Sequence, residues 1–307
     1  MIDFFKDEPM DFKPGEEYRY NNSAYFILGY IIELVSGKTY AEYIDETFFK
    51  PLGMNNSYYG NTSKIIENRA AGYQKNGDNY ENADFLSITQ PYSAGSLLST
   101  VDDLAKWYQA VVQYKVVKKE SLDKALTSYV LKNGQPTNYG FGWSLENIQG
   151  SSMFGHGGGI NGYLTASNYL KNENIFVAVF SNCTAHPPGD EATKIAALVL
   201  GKPFAWERID IPEKQLKEYE GVYESKYDNE RIITTEDGKL FSIRTGSSKY
   251  EFIPYEKDKF FVNNGFTTLE FIRNKKKKII AVISKSTSAP IRWEKTDKEI
   301  PVKRIFN

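Results

Sequence analysis

The chain has 307 residues, with 38 basic against 39 acidic side chains, 41% hydrophobic residues, 15% aromatic residues and one cysteine, Cys183. Near-neutral charge with this many aromatics excludes an intrinsically disordered chain, and a single cysteine excludes an intrachain disulfide framework or a Cys-based zinc cluster. Only His156 and His186 could add imidazole ligands, so no metal site and no other cofactor is expected.

The length permits one large domain or two smaller ones. Residues 1–200 carry 16 basic and 22 acidic groups, a net of −6, whereas residues 201–307 carry 22 and 17, a net of +5. This asymmetry supports a boundary near 205, dividing the chain into 1–205 and 206–307. The longest apolar run near the start, Tyr25 to Val35, is interrupted by Glu33 and falls short of the roughly 20 residues of a membrane span. No span is expected. Met1–Met10 mixes Phe with Asp, Glu and Lys and has no signal-peptide pattern, so the compartment stays unassigned.

In chain order, Tyr25, Leu28, Ile32 and Val35 recur at helical spacing after Asn22, with Gly37 as the stop. Asn22 is the expected N-cap of that helix. A second helix is expected from about 39 to 49. Residues 51–98, rich in Asn, Gly, Ser and Tyr, form a connector long enough to be functional or lid-like. Ser99-Thr100-Val101-Asp102-Asp103 reads as a capped helix start with acidic residues at its positive end. Strands are expected at 139–145, 152–154, 163–169 and 175–181, then a helix at 190–200. Beyond Pro203, alternating segments at 231–235, 239–244, 250–254, 259–262, 268–273 and 279–284, separated by Asp-Gly, Gly-Ser and Asn-Asn-Gly turns, predict an antiparallel barrel or sandwich. Lys275–Lys278 falls at one of its turns and reads as a solvated hairpin tip rather than a nucleic-acid patch.

Three segments carry the chemistry: Pro14-Gly15 with Tyr20-Asn21-Asn22, then Tyr92-Ser93-Ala94-Gly95-Ser96-Leu97-Leu98-Ser99-Thr100, then Gly155-His156-Gly157-Gly158-Gly159-Ile160-Asn161-Gly162-Tyr163. In this order and at these separations they resemble the serine β-lactamase and penicillin-binding-protein superfamily, in its β-lactamase-related, class C-like branch. Leu28-Gly29, Gly37 and Pro51-Leu52-Gly53-Met54 extend the likeness, which covers residues 12–200. The C-terminal part resembles the barrel appended to many such proteins. The resemblance implies an α+β fold: a β-lactamase/transpeptidase-like domain of helices and antiparallel sheet, N-terminally incomplete, followed by a small antiparallel β-barrel.

The resemblance also implies roles. Tyr20 would be the phenol that shuttles the nucleophile's proton, and Asn22 the amide that holds the substrate. A phenol of pKa about 10 acts as a base near neutrality only where positive charge stabilises its anion. His156, matching a His-x-Gly motif at a strand start, would supply polarity or charge beside Tyr20. Gly158 would let the backbone approach the scissile carbonyl, and the Gly159 N–H would donate to the oxyanion, an interaction worth about 3–4 kcal/mol of barrier.

One family element has no counterpart. The nucleophile belongs to a Ser-x-x-Lys motif that precedes Tyr-x-Asn, and the sole Ser-x-x-Lys here, Ser121 to Lys124, follows it in a polar helix start. Other matches fail on context. Gly157-x-Gly159-x-x-Gly162 fits a dinucleotide fingerprint, but strand rather than helix follows. His156-Gly157-Gly158-Gly159 mimics an α/β-hydrolase oxyanion segment without any Gly-x-Ser-x-Gly elbow. Cys183 reads as structural and His186 as exposed. Two functions follow: a β-lactamase-related serine hydrolase acting on an ester, amide, D-amino-acid peptide or β-lactam, of which this chain holds all but the nucleophile segment; or a non-catalytic pseudoenzyme or ligand-binding module. The expected partner is a small-molecule or peptide-like acyl substrate rather than nucleic acid, and self-association would cover apolar surface left by the absent strands.

Overall fold

The helix starts are built by side-chain oxygens that accept otherwise orphaned N–H groups of a first turn. In the computed structural model, which describes residues 6–301 apart from 62, 228, 264 and 289, helix α1 runs Asn22–Ser36 and ends at Gly37, whose φ of 69° supplies a left-handed cap. Helix α2 (Tyr40–Ile44) opens on a reciprocal Thr39/Glu42 capping box and continues as a π-helical turn, Asp45–Phe49. Helix α3 (Val101–Val112) is capped by Thr100, with Asp102 and Asp103 in its first turn. Tyr40, Ile44, Phe49 and Met54 form a small core under α1, joined by Tyr92 and Trp107.

The long connector is more structured than its composition suggests. Its ends pair as β1 (Tyr58–Tyr59) with β4 (Leu97–Leu98), and a hairpin of β2 (Tyr73–Asn76) and β3 (Asn79–Asn82) lies between them. Backbone bonds Tyr73 N to Asn182 O (2.9 Å) and Thr184 N to Tyr73 O (3.1 Å) tie this hairpin to the sheet. A short helix, α4 (Lys119–Ala125), follows α3.

Strands β5 (Ser144–Ile148), β6 (Ser151–Ile160), β7 (Tyr163–Leu170) and β8 (Ile175–Ser181) form an antiparallel sheet in that order. Its two faces are both covered. Ala192, Ala196 and Ala197 of α5 (Gly189–Val199) pack against Ile148, Met153, Ala166, Leu170 and Val177, while Tyr108 of α3 packs against Phe154 and Tyr169 on the other side.

Two strand boundaries correct the sequence reading. The strand expected at 139–145 begins only at Ser144, because Gly140 N bonds to Trp143 O and Gly142 takes a φ of 78°, closing a turn after Tyr139. The strand expected at 152–154 extends to Ile160, because β7 pairs with it residue for residue through the glycine run, as far as Ile160 opposite Tyr163. Backbone ladders need no side chains.

The C-terminal part is a closed barrel of eight antiparallel strands, each paired with the next in sequence and the last with the first. A short helix α6 (Glu213–Leu216) leads into β9 (Gly221–Ser225), β10 (Glu230–Glu236), β11 (Lys239–Arg244) and β12 (Tyr250–Glu256). The circuit continues through β13 (Lys259–Val262), β14 (Thr268–Arg273), β15 (Ile279–Lys285) and β16 (Ile291–Lys295). Tyr219, Tyr223, Phe260, Leu269, Phe271 and Trp293 dominate its interior. The six expected segments all form strands; β9 and β16, which close the circle, were not anticipated. Lys275–Lys278 lies in the β14–β15 turn. The barrel meets the sheet through the β15–β16 loop, where Asn147 N donates to Thr287 O at 2.5 Å. A groove of about 940 Å³ lies alongside, lined by Phe204, Trp206, Phe266, Met153 and Leu145 among others.

Candidate active site

Tyr20, Asn22 and His156 come from two distant parts of the chain, and the fold brings them to one place. The helix cap is Asn21, not Asn22: Asn21 has φ −143° and ψ 121°, and its Oδ1 accepts the Ala24 N–H at 3.2 Å. An Asx cap needs an extended backbone, and Asn22 already has helical geometry as the first residue of α1. The Asn22 side chain is exposed, which frees its amide for a ligand.

Tyr20 precedes the cap and is 48% exposed. Its ring centroid lies 5.7 Å from that of His156, 5.6 Å from Tyr25 and 6.0 Å from Tyr139. Burial, then the neighbouring Tyr25, push its phenol above the ordinary value. These surroundings favour the protonated phenol.

His156 lies in mid-strand, the sixth residue of β6, rather than at a strand start. Nδ1 is 2.5 Å from the Gly157 carbonyl oxygen and Nε2 is 2.7 Å from the Tyr139 hydroxyl, which in turn is 2.7 Å from the Tyr25 hydroxyl. For a neutral imidazole these contacts order the proton positions. A carbonyl only accepts, so Nδ1 carries the hydrogen; neutral imidazole then accepts at Nε2, so Tyr139 O–H donates to it and Tyr25 O–H donates to Tyr139. Both imidazole nitrogens are occupied, so His156 lies beside Tyr20 through ring contact. Burial, the largest cause, pushes the Tyr139 phenol far above its ordinary value, consistent with a hydroxyl that donates to His156 rather than ionises.

Gly157, Gly158 and Gly159 are exposed. Strand β5 pairs with β6 only as far as Gly155, opposite Ser144, while β7 continues to Ile160. Residues 156–160 thus have one open edge. A Cβ on Gly158 would lie 2.7 Å from Thr165 Oγ1 and one on Gly159 3.2 Å from Leu164 Cδ2, so a side chain there displaces the side chains of Thr165 and Leu164.

Tyr92-Ser93 reinforces the opposite wall. Ser93 Oγ donates to the carbonyls of Tyr25 (2.8 Å) and Phe26 (3.3 Å), under Gly29, where a Cβ would come within 2.0 Å of the Ser93 hydroxyl. This contact pins the helix turn that carries Tyr25. Tyr139 and Tyr25 were missed as site residues. The signal was present in Tyr139-Gly140-Phe141-Gly142-Trp143, a glycine-interrupted aromatic run that marks a turn rather than a strand.

The remaining candidates lie elsewhere. Ser121 and Lys124 are exposed on α4. Cys183 is half-buried and bridges to Tyr73 beside the sheet, and His186 is exposed with its Nε2 3.0 Å from the Tyr80 hydroxyl. Among the described residues no cluster of three or more His, Cys, Asp or Glu could hold a metal ion, and no helix is long and apolar enough to cross a membrane.

A helical layer and an antiparallel sheet meet at a Tyr-x-Asn turn and a His-Gly-Gly strand, the arrangement of a β-lactamase-fold domain. The family model described as Beta-lactamase matches residues 1–201, and the chain belongs to that family. It is 28% identical over 301 residues to penicillin-binding protein 4* of Bacillus subtilis (strain 168), covering 88% of this chain and 65% of that protein. It is 26% identical over 200 residues to a D-aminopeptidase of Gluconobacter oxydans (strain 621H), covering 65% of this chain and 38% of that one. The solved structure of the octameric penicillin-binding protein homologue from Pyrococcus abyssi superposes with a TM-score of 0.60 at 28% identity, covering 96% of this chain and 69% of that one. The chain thus spans less than two thirds of the length of both curated relatives.

Proposed function

We propose that this chain forms the Tyr20, Asn22, His156, Gly158 and Gly159 side of an acyl-transfer site, and that in the full-length protein a Ser-x-x-Lys serine completes it. The lysine of that motif would take the serine proton as the serine oxygen bonds to the substrate carbonyl carbon, and the carbonyl oxygen would take negative charge beside the Gly159 N–H; as the bond to the leaving group breaks, the protonated Tyr20 would give its proton to that group and regain one from the lysine. Water then releases the acyl group. The observation that carries this reading is the packing of Tyr20 against His156 and Tyr139 beside the open edge at residues 156–160. A D-amino-acid peptide or amide, an ester or a β-lactam is the proposed substrate class, and the named relatives favour the first.

The same geometry supports a second reading, a non-catalytic ligand-binding module, because Tyr20 is held protonated and both His156 nitrogens are occupied. Covalent capture separates the two. The present chain, incubated with a reactive β-lactam or fluorophosphonate, is expected to gain no adduct mass; a version extended upstream to a Ser-x-x-Lys is expected to label at that serine, less so with Tyr20→Phe. Labelling at Ser121 would refute the assignment. We also propose that 1–205 and 206–307 are separate domains, and that the exposed apolar face of α1, with Leu28, Ile31, Leu34 and Val35, is covered by self-association or by further chain.

A further inference from the structure

The barrel interior is apolar at one end and polar at the other. Side chains two apart on a strand share a face, so Ser225, Arg231, Ser242 and Ser284 point inward like the core residues Tyr223, Ile233, Leu240 and Val282 on the same strands. All four polar residues are buried, Arg231 to 6% exposure. Its guanidinium lies over the Trp293 ring, 4.8 Å from the centroid, and Nη1 donates to Ser242 Oγ at 2.8 Å.

No carboxylate among the described residues pairs with this cation. Among the described residues Nε is buried without a hydrogen-bond partner, and Nη2 makes no hydrogen bond either. Glu224 and Glu230 are close in sequence, but strand alternation turns them outward, where Lys298 holds both. Arg244 stands directly opposite Arg231 in the β10–β11 register, on the same face and also without a carboxylate. Like charges facing each other across a ladder are destabilising, and a buried charge with an unmet donor is more so. Burial, then Arg244, push the Arg231 guanidinium down to about 10.

We propose that this end of the barrel binds a small oxyanion, a carboxylate or phosphate group, through the Nε–Nη2 edge of Arg231, with Arg244 flanking it. That edge presents two parallel N–H groups matched to two oxygens. Nη1 is committed to Ser242, and the edge left open is the bidentate one. One negative charge there meets both unmet donors and relieves the repulsion between the two arginines. This site is distinct from the acyl-transfer cleft and does not depend on its activity.

The test uses the full chain, with inorganic phosphate and acetate titrated at constant ionic strength against chloride. The Arg231 Nε–H signal, followed by ¹H–¹⁵N NMR, is expected to shift saturably with either oxyanion and not with chloride, and the melting temperature to rise in parallel. Arg244→Gln, at an exposed rim position, is expected to weaken binding about tenfold, the worth of one charge-assisted contact, and Arg231→Met to abolish it. An unmoved Nε–H signal with both oxyanions, an equal response to chloride, or an unchanged response in Arg244→Gln would overturn the proposal, even if Arg231→Met fails to fold.

Discussion

Changing Tyr139 to Phe removes one oxygen and keeps the ring, so no cavity forms and the effect isolates the hydroxyl chain. Two hydrogen bonds are lost, each 2.7 Å long: the donation to His156 Nε2 and the acceptance from Tyr25. At about 0.5–1.5 kcal/mol net for each, and with the group half-buried, the expected loss is about 2 kcal/mol. For a unit of roughly 200 residues this lowers the melting temperature by about 4–8 °C. Circular dichroism melts of wild type and variant measure it. Tyr20→Phe is the control, because the Tyr20 hydroxyl makes no hydrogen bond among the described residues and its loss should cost less than about 0.5 kcal/mol. Imidazole ¹⁵N spectra give the independent readout: the proton sits on Nδ1 in the wild type, and the Nε2 resonance moves toward that of an unbonded nitrogen in Tyr139→Phe. A wild-type proton on Nε2, or equal melting shifts for the two variants, would refute the deduced order of donors.

Further outcomes follow from other contacts. Asp103 is buried, which raises its carboxyl pKa, but Lys106, the Asn56 N–H and the Ser57 hydroxyl outweigh this and hold it below the usual value. A carboxylate so depressed stabilises the fold above its unfolded pKa of about 3.9, and that contribution is lost as pH falls through the folded value. Acid unfolding near and below pH ~4 should therefore be shallower in Asp103→Asn, which should also be about 3 kcal/mol less stable at pH 7; denaturant titrations at several pH values check both. Gly162→Ala places a Cβ 2.7 Å from Gly72 Cα at a φ of +82°, so a loss of at least about 1–2 kcal/mol and faster proteolysis of the 70–84 hairpin are expected. Residues 207–307 expressed alone should melt cooperatively, because their core closes on itself; a chain without a transition would refute the separate domain.

Much of the fold was legible because local chemistry and periodicity agree with it. Thr39, Thr100 and Gly37 act as caps and stops through groups within four residues of themselves, and the β11, β13 and β14 bounds coincide with alternating runs. Segments whose structure depends on a distant partner were less visible. The glycines of β6 have no strand propensity of their own and become strand only because β7 pairs with them. Strands β9 and β16 are joined to each other across the seam of the barrel, a pairing no local pattern encodes.

The site divides along the same line. Tyr20, Asn22, His156, Gly158 and Gly159 were nameable because their motifs are short and contiguous. The placement of Tyr25 and Tyr139 against His156, the tautomer that follows from it, the shift from Asn22 to Asn21 as the cap and the unpaired Arg231 were decided by the tertiary structure. Donors and acceptors are matched by distance and direction in space, and the sequence by itself states only which groups are available to be matched.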